Sequence, residues 1–116
     1  MLFGSTHLDY KKESKSRILQ VKRLIEHSKS SPIPIIIAGD FNASSGSETI
    51  NLMDSEFTRT CNSCPPTIPV NNPSRVIDFI FYKHPQDKLD VKLHKVIDEK
   101  YASDHLPVYA EVIIEH

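Results

Sequence analysis

The chain has 116 residues, with 14 lysines and arginines against 15 aspartates and glutamates and a hydrophobic share of 39%. That size and balance describe one folded domain with about two-thirds of its unfolded surface buried, and they exclude the disordered, collagenous and membrane-spanning classes. The formal net charge of −1 provides no global field toward nucleic acid or an anionic membrane, so any such role rests on a local patch.

Residues 2–8 read as the end of a strand, supported by Leu2, Phe3 and Leu8. From Ser14 to Ser28, Ile18, Val21, Leu24 and Ile25 recur at helical spacing with Leu19 at the flank, and Ser14 or Ser16 suits the cap position. Seven lysines and arginines lie between Lys11 and Lys29, either as the solvated face of this helix or as a basic patch. Ser30-Ser31-Pro32 ends the helix. Ile33 to Ala38 is a continuous apolar run, which predicts a strand covered on both faces and ending at Gly39. It is the longest apolar run and far short of the ~20 residues needed to cross a bilayer.

Ser45-x-x-Glu48 has capping-box spacing and predicts a short helix near 46–54, followed by a brief strand over 56–60. Residues 61–75 hold four prolines and three asparagines and read as a surface loop. In it, Cys61 and Cys64 lack the further ligands of a zinc site, and the prolines after Cys64 do not suit a thioredoxin-like helix start. They are read first as an incidental loop pair, with a disulfide as the alternative. Strands are expected at 76–82, about 91–97 and 107–114. The last alternates Val108, Ala110, Val112 and Ile114 against Tyr109, Glu111 and Ile113. Met1 to Ser5 shows no signal peptide, and the compartment is left unassigned.

Four polar motifs interrupt these elements. Asp40 and Asn42 follow the buried strand just past Gly39, where a carboxylate can bind a hard cation or orient water and an amide can donate to a phosphate oxygen. The alternative is a turn rich in Asx residues. Asp78 lies in an apolar strand, where an unpaired buried carboxylate costs several kcal/mol, so it needs a partner unless the strand is an edge that turns it to water. A histidine is the natural partner, because a carboxylate on one imidazole nitrogen frees the other for proton transfer. Ser103-Asp104-His105 enters the last strand, with Pro107 holding Leu106 extended. His7 and Asp9 close the first strand. His27, His84, His94 and His116 have no such context.

In this order Thr6-His7-Leu8-Asp9, Gly39-Asp40-Phe41-Asn42, Ile77-Asp78-Phe79-Ile80-Phe81 and Ser103-Asp104-His105-Leu106-Pro107-Val108 resemble the endonuclease/exonuclease/phosphatase superfamily. That group includes deoxyribonuclease I-like nucleases, base-excision-repair endonucleases, neutral sphingomyelinases and inositol-phosphate phosphatases. The resemblance implies an α/β fold, half of a four-layer α/β/β/α sandwich with a mixed, mostly antiparallel sheet and two helices. It implies His105 as general base or acid oriented by Asp78, Asp40 at the attacking water or a metal, and Asp104 at the metal. Asn42 would contact the scissile phosphate, His7 would stabilise phosphoryl charge, and Asp9 would support its loop. Mg²⁺ or Mn²⁺ is the implied cofactor.

Complete members are longer, and their N-terminal half supplies a metal-binding glutamate and a further asparagine. Residues 1–116 therefore read as a single partial domain, the C-terminal half. Two functions follow: a metal-dependent phosphoesterase inactive as this chain alone, or a non-catalytic interaction module using an exposed sheet face. The partners expected are a phosphate ester (nucleic acid, phospholipid head group or small phosphate ester) and either the N-terminal half or a self-association partner.

Overall fold

In the computed structural model, residues 1–11 and 13–115 are described. The elements run β1 (Leu2–His7), α1 (Lys15–Ser28), β2 (Ile35–Asp40), α2 (Glu48–Glu56), β3 (Thr58–Arg59), β4 (Asp78–Lys83), β5 (Leu89–Val96) and β6 (Val108–Ile114). Among the described residues, two helices and two sheets make the mixed α/β architecture that the resemblance implied. One sheet has the order β1-β2-β4-β3, and the other is the hairpin β5-β6. Among the described residues only β1 and β2 pair in parallel, which requires α1 as the crossover; the other strand pairings are antiparallel.

Alternation sorts the four-stranded sheet into unequal faces. Ile35, Ile37, Phe79 and Phe81 lie on the face covered by the helices, where Val21, Ile50 and Met53 join them in the core. Phe41 meets Phe79 and Phe81 edge-on, with ring centroids 6.0 and 5.1 Å away. The opposite face carries three rungs in register: Phe3, Ile36 and Tyr82; Ser5, Ala38 and Ile80; His7, Asp40 and Asp78. The β5-β6 hairpin reaches this side through contacts of β6 with β4. Toward β1 it leaves Phe3 67% exposed.

Three local expectations change. The Ile33 to Ala38 run becomes a strand only from Ile35 and continues through Asp40, and it is buried on one face, with Ile36 and Ala38 half-buried. The cap of α2 is Ser47, whose Oγ accepts from the Ile50 amide at 3.3 Å; Ser45 Oγ instead accepts from Arg59. Gly46, with φ of 85°, separates the two serines and prevents an earlier start. At α1 the cap residue is Ser14, but its side chain makes no capping hydrogen bond. The residue-based preference for an incidental cysteine pair is overturned as well, since Cys61 and Cys64 form a disulfide with Cα atoms 5.1 Å apart.

No helix among the described residues is long and apolar enough to cross a membrane.

Candidate active site

The last rung of the half-covered face places His7, Asp40 and Asp78 side by side on β1, β2 and β4. His105, from the turn before β6, closes over them. Its Nδ1 lies 2.8 Å from Asp78 Oδ2, and its Nε2 lies 3.6 Å from Asp40 Oδ2. An ionised carboxylate can only accept, so Nδ1 donates to Asp78 and Nε2 is presented toward Asp40. The partner that Asp78 needs inside its apolar strand is therefore His105.

Asp40 uses its two oxygens differently. Oδ1 accepts from the Asn42 amide at 2.8 Å, the Asx turn raised as an alternative for this motif, while Oδ2 faces His105 and stands 3.4 Å from His7 Nε2. The turn and the charged cluster thus occupy one side chain. Asn42 adopts φ of 48° and donates Nδ2 to the Leu8 carbonyl at 2.6 Å, which leaves one amide hydrogen for another acceptor. Leu8 donates in turn to the Asp40 carbonyl at 2.9 Å. Together these bonds lock the ends of β1 and β2. Gly39 is required here because a Cβ would overlap the Thr6 carbonyl on the neighbouring strand.

Ser103 supplies the turn that lets Asp104 and His105 approach one another. Its Oγ accepts from the His105 amide at 3.1 Å. Asp104 Oδ1 then stands 3.8 Å from His105 Nε2, although the Asp104 side chain is 93% exposed. The serine hydroxyl was not singled out from sequence, although its place two residues before His105 was a signal for such a turn.

Partial burial alone would lower the His105 pKa. The hydrogen bond and charge of Asp78, joined by Asp40 and Asp104, outweigh it and hold the pKa above the ordinary histidine value of 6.5. Ligand atoms of Asp40, Asp78 and His105 lie within 4.8 Å of one another, a group that could hold a metal ion. Asp104 is outside that group and approaches it at the rim. Three carboxylates around one imidazole leave negative charge uncompensated, and their oxygens suit a hard divalent cation.

The remaining polar features divide between scaffold and solvent. Arg17, in the basic segment, is buried and donates to the carbonyls of Asp9 and Lys11. Asp9 also accepts from the Lys11 amide through Oδ1 and donates its amide to Gln20. Arg23 pairs with Glu26 at 3.6 Å, and Lys15, Lys22 and Lys29 are exposed. Lys12 and His116 lie outside the described residues. His84 binds the Glu115 carbonyl and His94 binds Thr60 Oγ1, each at 2.7 Å, both away from the four motifs.

Residues 3–105 match the model of the Endonuclease/Exonuclease/phosphatase family. No curated protein matches the chain. Among solved structures, a functionally unknown conserved protein from Enterococcus faecalis is 25% identical, with a TM-score of 0.81 over 96% of this chain and 49% of its own. The mannosyl-6-phosphatase Bt3783 of Bacteroides thetaiotaomicron is 22% identical, with a TM-score of 0.72 over 95% of this chain and 50% of its own. D. rerio TDP2, complexed with a single-strand DNA product, is 22% identical, with a TM-score of 0.72 over 94% of this chain and 54% of its own. The chain thus spans about half the length of each of these three solved structures.

Proposed function

The chain belongs to the endonuclease/exonuclease/phosphatase family, and on that premise we propose that it carries half the active site of a metal-dependent phosphoesterase. The carrying observation is the His105 to Asp78 hydrogen bond on the rung that also holds His7 and Asp40. Water attack on a phosphate ester needs a group that moves a proton and donors that meet charge on the phosphoryl oxygens.

In this reading His105 Nε2 takes the proton of the attacking water or gives one to the leaving oxygen. Asp78 holds the Nδ1 hydrogen and stabilises the imidazolium. Asp40 Oδ2 orients the water. Asn42 donates its second amide hydrogen to a non-bridging phosphate oxygen, and His7, 74% exposed, meets the charge that develops there. Asp40 and Asp104 would hold Mg²⁺ or Mn²⁺, whose charge would offset the carboxylates and polarise a phosphoryl oxygen.

Residues 1–116 form, on this proposal, the C-terminal half of one domain whose other half completes the site. The length relation to the matched structures supports it. Substrates fitting the chemistry are nucleic acid, a phospholipid head group or a small phosphate ester; a sugar phosphatase and a DNA-bound protein among the matched structures keep the first and last in view.

The test is hydrolysis of bis(para-nitrophenyl) phosphate with Mg²⁺. The chain alone is expected to be inactive. The chain joined to the preceding half is expected to turn over, and His105→Ala to lower that rate by about 10²- to 10⁴-fold. Robust turnover by the 116-residue chain would refute the half-site reading, and full activity in the joined His105→Ala form would remove the proton-transfer assignment. A second reading, an interaction module, is favoured by the exposure of Leu2 at 50%, Phe3 at 67% and Ile113 at 52%. It predicts stable self-association and no turnover in any form.

A further inference from the structure

Thr67 is fully buried in the proline-rich loop, ten residues before Ile77, and its polar atoms are tied to both segments that carry the proton-transfer pair. Its carbonyl accepts from the Leu106 amide at 2.8 Å, the residue after His105. Its Oγ1 accepts from the Ile77 amide at 3.3 Å, the residue before Asp78. The Ile77 carbonyl in turn accepts from the amide of Phe41, the residue after Asp40, at 2.8 Å. Three site residues therefore each have a chain neighbour in one connected series of hydrogen bonds, with Thr67 joining two of its links.

The neighbours are themselves fixed. Leu106, Ile77 and Phe41 are 6%, 4% and 0% exposed, so small shifts of their backbones have nowhere to dissipate. Thr67 is held from its own side as well, because its amide donates to the Arg75 carbonyl at 2.8 Å, and Ile68 and Arg75 pair as an isolated bridge. This anchors the base of the loop.

We propose that Thr67 is a positioning residue that sets the register between Asp78 and His105 from outside the site. The inference rests on the phosphoesterase reading for its functional meaning, but its geometry can be tested without turnover. A buried amide that loses its acceptor must find another, and the Ile77 amide has none in place other than Thr67 Oγ1 among the described bonds.

The experiment is proton and nitrogen NMR of the 116-residue chain, following the His105 Nδ1 hydrogen bonded to Asp78 beside the core amides of Ile37 and Phe81. Thr67→Val keeps the shape and removes the acceptor; Thr67→Ser keeps the acceptor. The expected result is that Thr67→Val shifts or broadens the His105 Nδ1 signal while the core amides stay in place, and that Thr67→Ser restores the wild-type signal. Three results would each overturn the proposal: an unchanged His105 signal in Thr67→Val, equal loss in Thr67→Ser, or loss spread over the core amides. Because the signal reports geometry, failure of this proposal is distinguishable from absence of phosphoesterase activity.

Discussion

The two faces of the four-stranded sheet differ more than two neighbouring regions of the chain do. Toward the helices, Ile35, Ile37, Phe79 and Phe81 are 5% exposed or less. On the other side the same strands show Ile36, Ala38, Ile80 and Tyr82 half-buried, Phe3 exposed, and a last rung of His7, Asp40 and Asp78. The period of two in a strand makes this division possible, because neighbouring residues serve opposite sides. Phe79 fills the core one position after Asp78 meets His105. Stability and candidate chemistry are thus interleaved in sequence but separated in space.

The largest effect is expected when packing is removed from the covered face. Phe81→Ala should cost about 3–5 kcal/mol of stability, read as a lowered urea midpoint, because a fully buried ring in contact with Phe41 and Phe79 leaves a cavity. A loss below ~1 kcal/mol would show that the covered face is not the main stabilising layer.

His105 and His94 give a smaller, pH-dependent contrast. His105 has a raised pKa, with burial opposed and outweighed by Asp78, Asp40 and Asp104, so its protonated form favours the fold. Its contribution is complete below the unfolded value of 6.5 and is lost as pH rises through the raised folded value. His94 has a pKa lowered by burial, so the fold favours its neutral form and a destabilising contribution grows as pH falls below 6.5. Accordingly, His105→Asn should be more destabilising at about pH 5 than at about pH 8.5, and His94→Asn less so, measured by urea unfolding at both. The same trend in both variants would contradict the assigned environments.

The smallest effect is expected on the open face. Phe3→Ser should change stability by no more than about 0.5 kcal/mol, since little packing is lost, while reducing any self-association seen by sedimentation. A large loss of stability would mean that Phe3 already packs within the chain.

Much of the fold was legible because hydrophobic period reports burial within one chain. Val21, Leu24 and Ile25 marked α1, and Val108 to Ile114 showed the alternation of β6. The Ile33 to Ala38 run misled because it reports burial by both faces, whereas one face here is only half-covered. Ser45 misled because capping-box spacing ignores the backbone: Gly46 turns the chain, and Arg59, from β3, takes the Ser45 hydroxyl. Cys61 and Cys64 misled as well: the reading as an incidental pair fails because pairing depends on how the loop brings their Cα atoms together.

The candidate site was legible at the residue whose chemistry conflicts with its surroundings. Asp78 in an apolar strand demanded a partner, and His105 stands there. Thr67 was not legible, because its contribution is a pair of hydrogen bonds to segments outside its own loop and its neighbours are prolines and an isoleucine. Nothing in its local pattern distinguishes it from loop filler.

The arrangement at Asp40 has a consequence for how its charge is displayed. A free carboxylate is symmetric, since half a rotation about its last bond exchanges equivalent oxygens. Here the Asn42 amide holds Oδ1 while Oδ2 faces two imidazoles. That rotation would have to break the turn, so the two oxygens become inequivalent and the group acquires a direction. What the tight turn after β2 adds to the molecule is therefore an oriented anion, with its open oxygen facing both His7 and His105.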